Sequence, residues 1–234
     1  MMSVTYSAVT FSNYGYRDFT HNLLNSIKVN NVDLNPNVYA LDLEAFNYFK
    51  SFHENVTLFE NQQTQKELVN QKAENFGDMM MKKFEIIYKS MLKNDYVLYI
   101  DGDIVIKKNI IEILFRNIQN KDILFQNDKR PSKPNLINLC AGFMLIKSNK
   151  KMLKFFNPEN IPIDKFNNLT THDQTYINKS KAKFNYNVLP LDQFPNGPHF
   201  YANSNSLEPY IVHFNYLLGM EKRDKMKEYG EWYS

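Results

Sequence analysis

Two carboxylates one residue apart, Asp101 and Asp103, follow an apolar, β-rich run at Tyr96–Ile100. Such a run ending in Asp is typical of a buried parallel strand whose carboxyl end opens onto a ligand crevice. The two acidic side chains repel each other unless a cation lies between them, and their hard oxygens favour Mg²⁺ or Mn²⁺, which usually share their coordination sphere with substrate phosphates. The pattern therefore predicts a metal–diphosphate site. The simpler alternative is a surface turn with two solvated carboxylates.

A second chemical pattern lies near the C-terminal end, where His213 follows a short apolar run and precedes Gly219 and Lys222. A histidine at a strand end adds a nitrogen ligand to a Mn²⁺-type site. The glycine lets backbone approach a phosphate, and the lysine neutralises it as a point charge. Alone, the histidine is as well explained by a core position with satisfied polar atoms. Together with Asp101 and Asp103, the three residues indicate one shared site.

The overall composition restricts the class of protein. A chain of 234 residues is best explained as one α/β domain, and its charge of +3 is scattered, which argues against nucleic-acid binding. The single cysteine, Cys140, excludes an internal disulfide and fits a reducing compartment. The N-terminus lacks the features of a signal peptide, and no apolar run is long enough to span a membrane. We therefore expect a cytoplasmic protein, and the Asn-, Lys- and Ile-rich composition suggests a microbial or large-virus source.

Strand-like and helix-like segments alternate along the chain, which predicts a layered α/β fold. The predicted strands are Val4–Phe11, Asn37–Leu41, Val56–Phe59, Tyr96–Ile100, Ile123–Gln126, Leu139–Ile146, Val188–Leu191 and Tyr210–Phe214. The predicted helices are Asp18–Val29, Leu43–Phe52, Asp78–Leu92 with Asp78 as its cap, Asn109–Ile118, Lys150–Phe156, His172–Lys181 and a charged segment at Glu221–Glu228. The polar, proline-broken segment Asn127–Pro134 is expected to be a loop that covers an active site.

The ordered set of motifs resembles the GT-A-fold glycosyltransferases, most of all the nucleotide-diphospho-sugar transferase family, with kinship to the glycogenin-like group. The matching segments, which run across nearly the whole chain, are Lys83, Tyr96–Asp103, Cys140–Ile146, Asp173–Asn178, Leu191–Gly197 and His213–Lys222. The resemblance implies an α/β fold of GT-A (Rossmann-like) type, with a mixed central sheet flanked by helices. It also implies a single domain over residues 1–234, with a nucleotide-binding half at about 1–106 and an acceptor half at about 107–234.

The resemblance assigns roles at the metal and the diphosphate. Asp103 and His213 are implied to bind Mn²⁺ or Mg²⁺, and Asp101 to contact the metal or the donor ribose. Gly219 and Lys222 are implied to hold the diphosphate.

The resemblance implies further donor contacts in the first half of the chain and on the sugar side. They are Thr10, Phe11, Tyr14, Asp42, Lys83, Gly102 and, on the sugar side, Gly142 beside Ala141. Tyr14 either stacks on the base or packs beneath its own loop, and Lys82 is as good a candidate as Lys83 by spacing.

Asp173 and Gln174 are the catalytic candidates that the resemblance implies on the acceptor side. Asp173 acts as a base or orients the sugar, while its structural alternative is a helix N-cap, since Asp in the first turn binds free backbone amides. Cys140 stands where many relatives have Asn, and a small packed residue is the simplest reading of it.

The implied activity is metal-dependent transfer of a sugar, with retention favoured, from a nucleotide-diphosphate sugar, expected to be a UDP-sugar, to a hydroxyl of a glycan or protein acceptor. One alternative is a Mg²⁺-dependent phosphohydrolase with Asp101 as nucleophile, although three predicted strands precede the motif here and such enzymes usually carry it on the first. The other is an inactive nucleotide-sugar-binding module. The oligomeric state stays open.

Overall fold

A computed structural model describes residues 4–59, 76–129, 132, 136–161 and 172–234. For residues 76–80 it describes only the backbone. The strands are β1 Tyr6–Ser12, β2 Asn37–Ala40, β3 Val56–Leu58, β4 Tyr96–Ile100, β5 Ile104–Ile106, β6 Ile123–Asn127, β7 Leu139–Lys147, β8 Tyr186–Val188 and β9 Ile211–His213. The helices are α1 Arg17–Val29, α2 Leu43–Lys50, α3 Phe76–Met91, α4 Ile111–Ile118, α5 Lys150–Phe156, α6 Asp173–Lys179, α7 Gly197–Asn203 and α8 Gly219–Glu228.

Seven strands form one mixed sheet in the order β3-β2-β1-β4-β7-β6-β8. All are parallel except β7, which runs antiparallel to both β4 and β6. The short strands β5 and β9 pair antiparallel in a second sheet. The carboxyl ends of β1, β4 and β6 therefore meet the amino end of β7 at one edge of the large sheet.

Both faces of the large sheet are covered by apolar side chains. In β4, Val97 and Tyr99 belong to the cluster on one face, which includes α3 and α5 residues, and Leu98 and Ile100 to the cluster on the other face, with α1 and α4. A strand buried on two sides needs apolar residues at every position, which explains the unbroken run before Asp101.

The predicted elements agree with the observed bounds to within two residues at each end, apart from β8, which ends at Val188 instead of Leu191. Pro190 follows closely and lacks the amide proton that a ladder requires, so the strand stops before it. Helix α7 and the short strand β5 are not among the predicted elements. Here Asn196 caps the helix by accepting from the His199 amide, and the proline lies in the first turn where its missing N–H costs nothing.

The predicted cap of α3 is wrong, and the structural alternative for Asp173, a helix N-cap, is not observed. Helix α3 begins at Phe76, so Asp78 lies inside it and is not its cap. Helix α6 is capped at His172, and Asp173 is its first helical residue. Part of the predicted loop Asn127–Pro134, at 130, 131, 133 and 134, lies outside the described residues. Among the helices that are described, none is both long and apolar enough to cross a membrane.

Candidate functional site

The edge where β1, β4, β6 and β7 meet opens into a cavity of about 360 Å³. Its lining includes Asp101, Asp103, Gly142, Asp173 and His213. The antiparallel direction of β7 explains the presence of Gly142, since the β4–β7 pairing of Ile100 with Phe143 sets the preceding β7 residue opposite Asp101. The Asp101 amide donates to the Gly142 carbonyl at 2.7 Å.

Asp101 is oriented by the strand that precedes it. The Tyr99 hydroxyl donates to Asp101 Oδ1 at 2.6 Å, and the Lys83 ammonium lies 3.2 Å from the same oxygen. These contacts leave Asp101 Oδ2 directed toward Gly142 and the ring of His213. A Cβ placed on Gly142 would lie close both to Asp101 Oδ2 and to His213 Cε1.

Asp103 and His213, which are 110 positions apart in the chain, are brought together by the small sheet. The β5–β9 register pairs Ile104 with His213, and His213 Nε2 lies 3.2 Å from Asp103 Oδ1. Lys222, from the first turn of α8, donates to Asp103 Oδ2. Burial alone would raise the pKa of Asp103, but Lys222 and His213 outweigh it and hold the pKa well below its ordinary value.

Gln126, at the end of β6, determines which nitrogen of His213 faces the cavity. Its side-chain amide nitrogen donates to the carbonyls of Phe194 at 3.2 Å and Pro195 at 2.9 Å, so its oxygen points at His213 Nδ1, 2.8 Å away. An amide oxygen only accepts, and Nδ1 must therefore carry a proton. This leaves Nε2 directed to Asp103 as the nitrogen available to a metal, the outer-shell arrangement that metal-binding histidines usually have.

The three side chains fit a divalent cation. One ligand atom each from Asp101, Asp103 and His213 lies within 4.8 Å of the others. A Cβ on Gly142 would come within 2.5 Å of Asp101 Oδ2 and 2.6 Å of His213 Cε1, so only glycine leaves room between these ligands. Two carboxylate oxygens and one imidazole nitrogen suit Mn²⁺, and Mg²⁺ if water and phosphate oxygens complete the shell.

Lys83 connects Asp101, at the end of β4, with Asp173, at the start of α6. Its ammonium lies 2.5 Å from Asp173 Oδ2 and 3.2 Å from Asp101 Oδ1, and it also lies over the Tyr99 ring. Burial alone would lower the pKa of Lys83, but the two carboxylates raise it above the ordinary value. Burial likewise opposes ionisation of Asp173, yet Lys83 and His172 hold its pKa well below the usual range. Lys83, and not Lys82, belongs to the cavity lining.

Gln174 is fixed at both ends of its amide. Its oxygen accepts from the Ala141 amide at 3.2 Å, and its nitrogen donates to Asp128 Oδ2 at 2.7 Å. Gln174 and Asp173 thus line the cavity on the side of β7 that the resemblance assigned to the sugar and acceptor.

Asp128 is a cavity residue that the sequence analysis did not single out. This buried carboxylate follows β6 and accepts from four side-chain amides and one hydroxyl. The donors are Asn138, Gln174, Asn196, Asn215 and Tyr216. Gln126 and Asp128 were detectable in principle, because they lie at the end of the predicted strand Ile123–Gln126. The carboxyl end of that strand meets the same sheet edge as Asp101.

The other predicted donor residues divide into two groups. Phe11, Gly102 and Lys222 line the cavity, and the Cys140 thiol lies behind the metal ligands, 3.5 Å from His213 Nδ1. Burial raises the pKa of this thiol, in keeping with a packed residue. The second group consists of Thr10, Tyr14, Asp42 and Gly219. These four residues are described by the structure but do not line the cavity.

The members of the second group have structural contacts. Asp42 caps α2 by accepting from the Ala45 amide at 2.7 Å, and its other oxygen accepts from the Tyr14 amide at 2.9 Å. The Tyr14 ring packs on the Arg17 guanidinium. Thr10 is fully buried, and Gly219 opens α8 with φ +50°. Their binding of a nucleoside or diphosphate stays a prediction.

Comparison with known proteins gives concordant matches. The family model described as nucleotide-diphospho-sugar transferase matches residues 33–228. A UDP-galactose:fucoside alpha-3-galactosyltransferase of Dictyostelium discoideum is 27% identical, over 96% of this chain and 42% of that protein. The chain thus spans less than half of this relative's length.

Solved structures share the fold. The glycosyltransferase GlyE of Streptococcus pneumoniae superposes with a TM-score of 0.63 at 15% identity, over 97% of this chain and 60% of that one. The galactosyltransferase LgtC, solved with donor and acceptor sugar analogs, gives 0.60 at 11% identity, over 97% and 96%. These matches confirm the predicted GT-A architecture.

Proposed function

The chain belongs to the nucleotide-diphospho-sugar transferase family, and from this premise we propose that it is a metal-dependent enzyme that transfers a sugar from a UDP-sugar to an acceptor hydroxyl. The observation that carries the metal dependence is the arrangement of Asp101, Asp103 and His213 around the space that Gly142 leaves open. We further propose that residues 1–234 form one domain, with donor and acceptor halves that meet at this cavity.

Departure of a nucleoside diphosphate releases negative charge that the site must stabilise. Asp101, Asp103 and His213 would hold a divalent cation, which would supply positive charge to the leaving diphosphate. Lys222 is the protein's own contribution: it is buried, it stays protonated because Asp103 raises its pKa despite the opposing effect of burial, and it lines the same cavity. A cation held in a dry cavity stabilises developing charge more strongly than one in water.

Asp173 fits an orienting role better than that of a general base. An efficient base has a pKa near the operating pH, whereas the ion pair with Lys83 keeps Asp173 ionised and weakly basic. With Asp173 in an orienting role, we propose that the departing phosphate oxygen takes the acceptor proton on the same face. This argument supports retention of configuration, and it leaves Asp173 and Gln174 to position the sugar.

We propose galactose as the transferred sugar and a fucoside as the acceptor. The support is the name of the Dictyostelium relative, a UDP-galactose:fucoside alpha-3-galactosyltransferase. Because UDP-galactose is an α-linked donor, an α-linked product agrees with retention.

The experiment that tests the proposal measures UDP release from UDP-galactose with Mn²⁺, with and without a fucoside. We expect turnover that chelation abolishes, and Mn²⁺-dependent binding of UDP that is lost in Asp103→Asn. Asp224→Asn, which alters an exposed carboxylate on the same helix as Lys222, is the matched control.

The alternatives predict other outcomes. Phosphate release from simple esters that Asp101→Asn abolishes would favour the phosphohydrolase. Tight UDP binding without turnover of any UDP-sugar would favour the inactive module. Unchanged Mn²⁺-dependent UDP affinity in Asp103→Asn would contradict the metal site itself.

A further inference from the structure

The segment between His213 and Lys222 exposes a group of apolar side chains at the cavity mouth. Tyr216 and Leu218, here called the apolar lip, are 44% and 45% exposed. Tyr216 and Leu218 also line the cavity that holds Asp173 and Gln174. The lip is therefore continuous with the proposed site of transfer.

Tyr216 is held in an unfavourable backbone conformation. Its φ of +67° lies in the left-handed region, which a bulky residue rarely adopts. The Tyr216 hydroxyl donates to Asp128 Oδ2 at 2.7 Å, and Asp128 is itself buried and fixed by Gln174 and Asn215. Backbone strain of this kind persists where the surroundings enforce it, and it concentrates at ligand-binding sites.

The hydrogen bond to Asp128 engages the polar end of Tyr216, so the ring is what the residue offers to a ligand. The cavity thus has polar groups inside, at Asp173 and Gln174, and an apolar rim at Tyr216 and Leu218. A UDP-sugar does not need this rim, because its diphosphate would be held by Lys222 and by a cation on Asp101, Asp103 and His213. A ligand with hydroxyls on one side and apolar hydrogens on the other matches both surfaces.

We propose that the apolar lip binds the acceptor and selects a 6-deoxyhexoside, whose methyl group and C–H face pack against Tyr216 and Leu218. The inference rests on the proposed function and adds to it the residues that choose the acceptor. A primary hydroxyl in place of that methyl would lose water against the apolar side chains of Tyr216 and Leu218, which costs binding energy.

The test compares methyl α-L-fucoside with methyl α-L-galactoside, which differ only at carbon 6, as acceptors for the UDP-galactose reaction. We expect the fucoside to have a kcat/KM on the order of tenfold higher. In Tyr216→Asn this preference should fall to about twofold or less, because asparagine tolerates a positive φ but lacks the ring. Tyr216→Phe keeps the ring and should retain the preference.

Acceptor-independent UDP release and the KM for UDP-galactose are measured in each variant, so that a change on the donor side is separated from a change in the preference between the two acceptors. Leu92→Ser, which replaces a comparably exposed side chain away from the cavity, is the control. Equal use of the two acceptors by the unaltered protein, or an unchanged preference in Tyr216→Asn, would overturn the inference while leaving the proposed transfer intact. Absence of UDP release with every UDP-sugar would instead overturn the proposed function, and the inference with it.

Discussion

The backbone at Gly142 approaches His213 so closely that a Cβ there would lie 2.6 Å from His213 Cε1. The same atom would lie 2.5 Å from Asp101 Oδ2. Strand β7 runs antiparallel to β4, and this contact is the result. Gly142 is thus required by the space between metal ligands and not by its own backbone angles.

Gly142→Ala should therefore weaken metal binding while the fold persists. The added methyl group must displace Asp101 or His213, and the ligand atoms then no longer converge. We expect the Kd for Mn²⁺, measured by electron paramagnetic resonance, to rise at least about tenfold. In Gly230→Ala, where a Cβ meets open space, Mn²⁺ affinity should be unchanged although a positive φ costs stability. Equal affinity in both variants would contradict the proposed ligand set.

Gln126→Leu should weaken metal binding without touching a ligand. The substitution removes the acceptor of the His213 Nδ1 proton, so the ring is no longer held with Nε2 toward Asp103. Losses of about 10- to 100-fold in metal affinity are typical when a residue that orients a metal-binding histidine is removed. Titration calorimetry with Mn²⁺ measures the effect, and Gln193→Leu, at an exposed position, is the control. An affinity within twofold of the unaltered protein would show that Gln126 does not orient the ring.

Gly102→Ala should destabilise the fold through α1. A Cβ on Gly102 would collide with Thr20 Oγ1, which is fully buried and lacks a hydrogen-bond partner among the described residues. Overpacking of this kind costs roughly 1–3 kcal/mol in the free energy of unfolding. Adding Thr20→Ala removes the colliding oxygen and should restore most of that loss, as urea denaturation of the two single variants and the double variant can measure. Strictly additive effects would mean that the two residues do not interact.

Asp173→Asn should change how stability depends on pH. The pKa of Asp173 is lowered in the folded state, so its stabilising contribution is fully present above the unfolded pKa of about 3.9 and is lost as the pH falls toward the folded pKa. At neutral pH the substitution removes a partner of the buried Lys83 and should cost about 3 kcal/mol.

The difference in unfolding free energy between the unaltered protein and Asp173→Asn should therefore narrow below about pH 4, by at most about 1.4 kcal/mol per pH unit. Urea denaturation at a series of pH values measures it, with Asp224→Asn, at an exposed position, as the control. A constant difference for Asp173→Asn across this range would argue against the ion pair with Lys83.

The sequence by itself determined most of the elements and the position of the two carboxylates of the candidate metal site. A strand that is buried on both faces needs an unbroken apolar run. The local sequence is therefore enough to predict β4 and the position of Asp101 at its end. Helices α1 and α5 likewise follow from the spacing of their apolar residues. The ordered motifs were enough to identify the family.

Only the tertiary structure decided which residues meet. His213 reaches Asp103 through the β5–β9 pairing, and Gly142 reaches Asp101 and His213 because β7 is antiparallel. Gln126 and Asp128 acquire their roles from partners far along the chain. Periodicity reports whether a residue is buried and on which face, but strand order and direction depend on the packing of the whole sheet. The chemistry of this cavity depends on that packing.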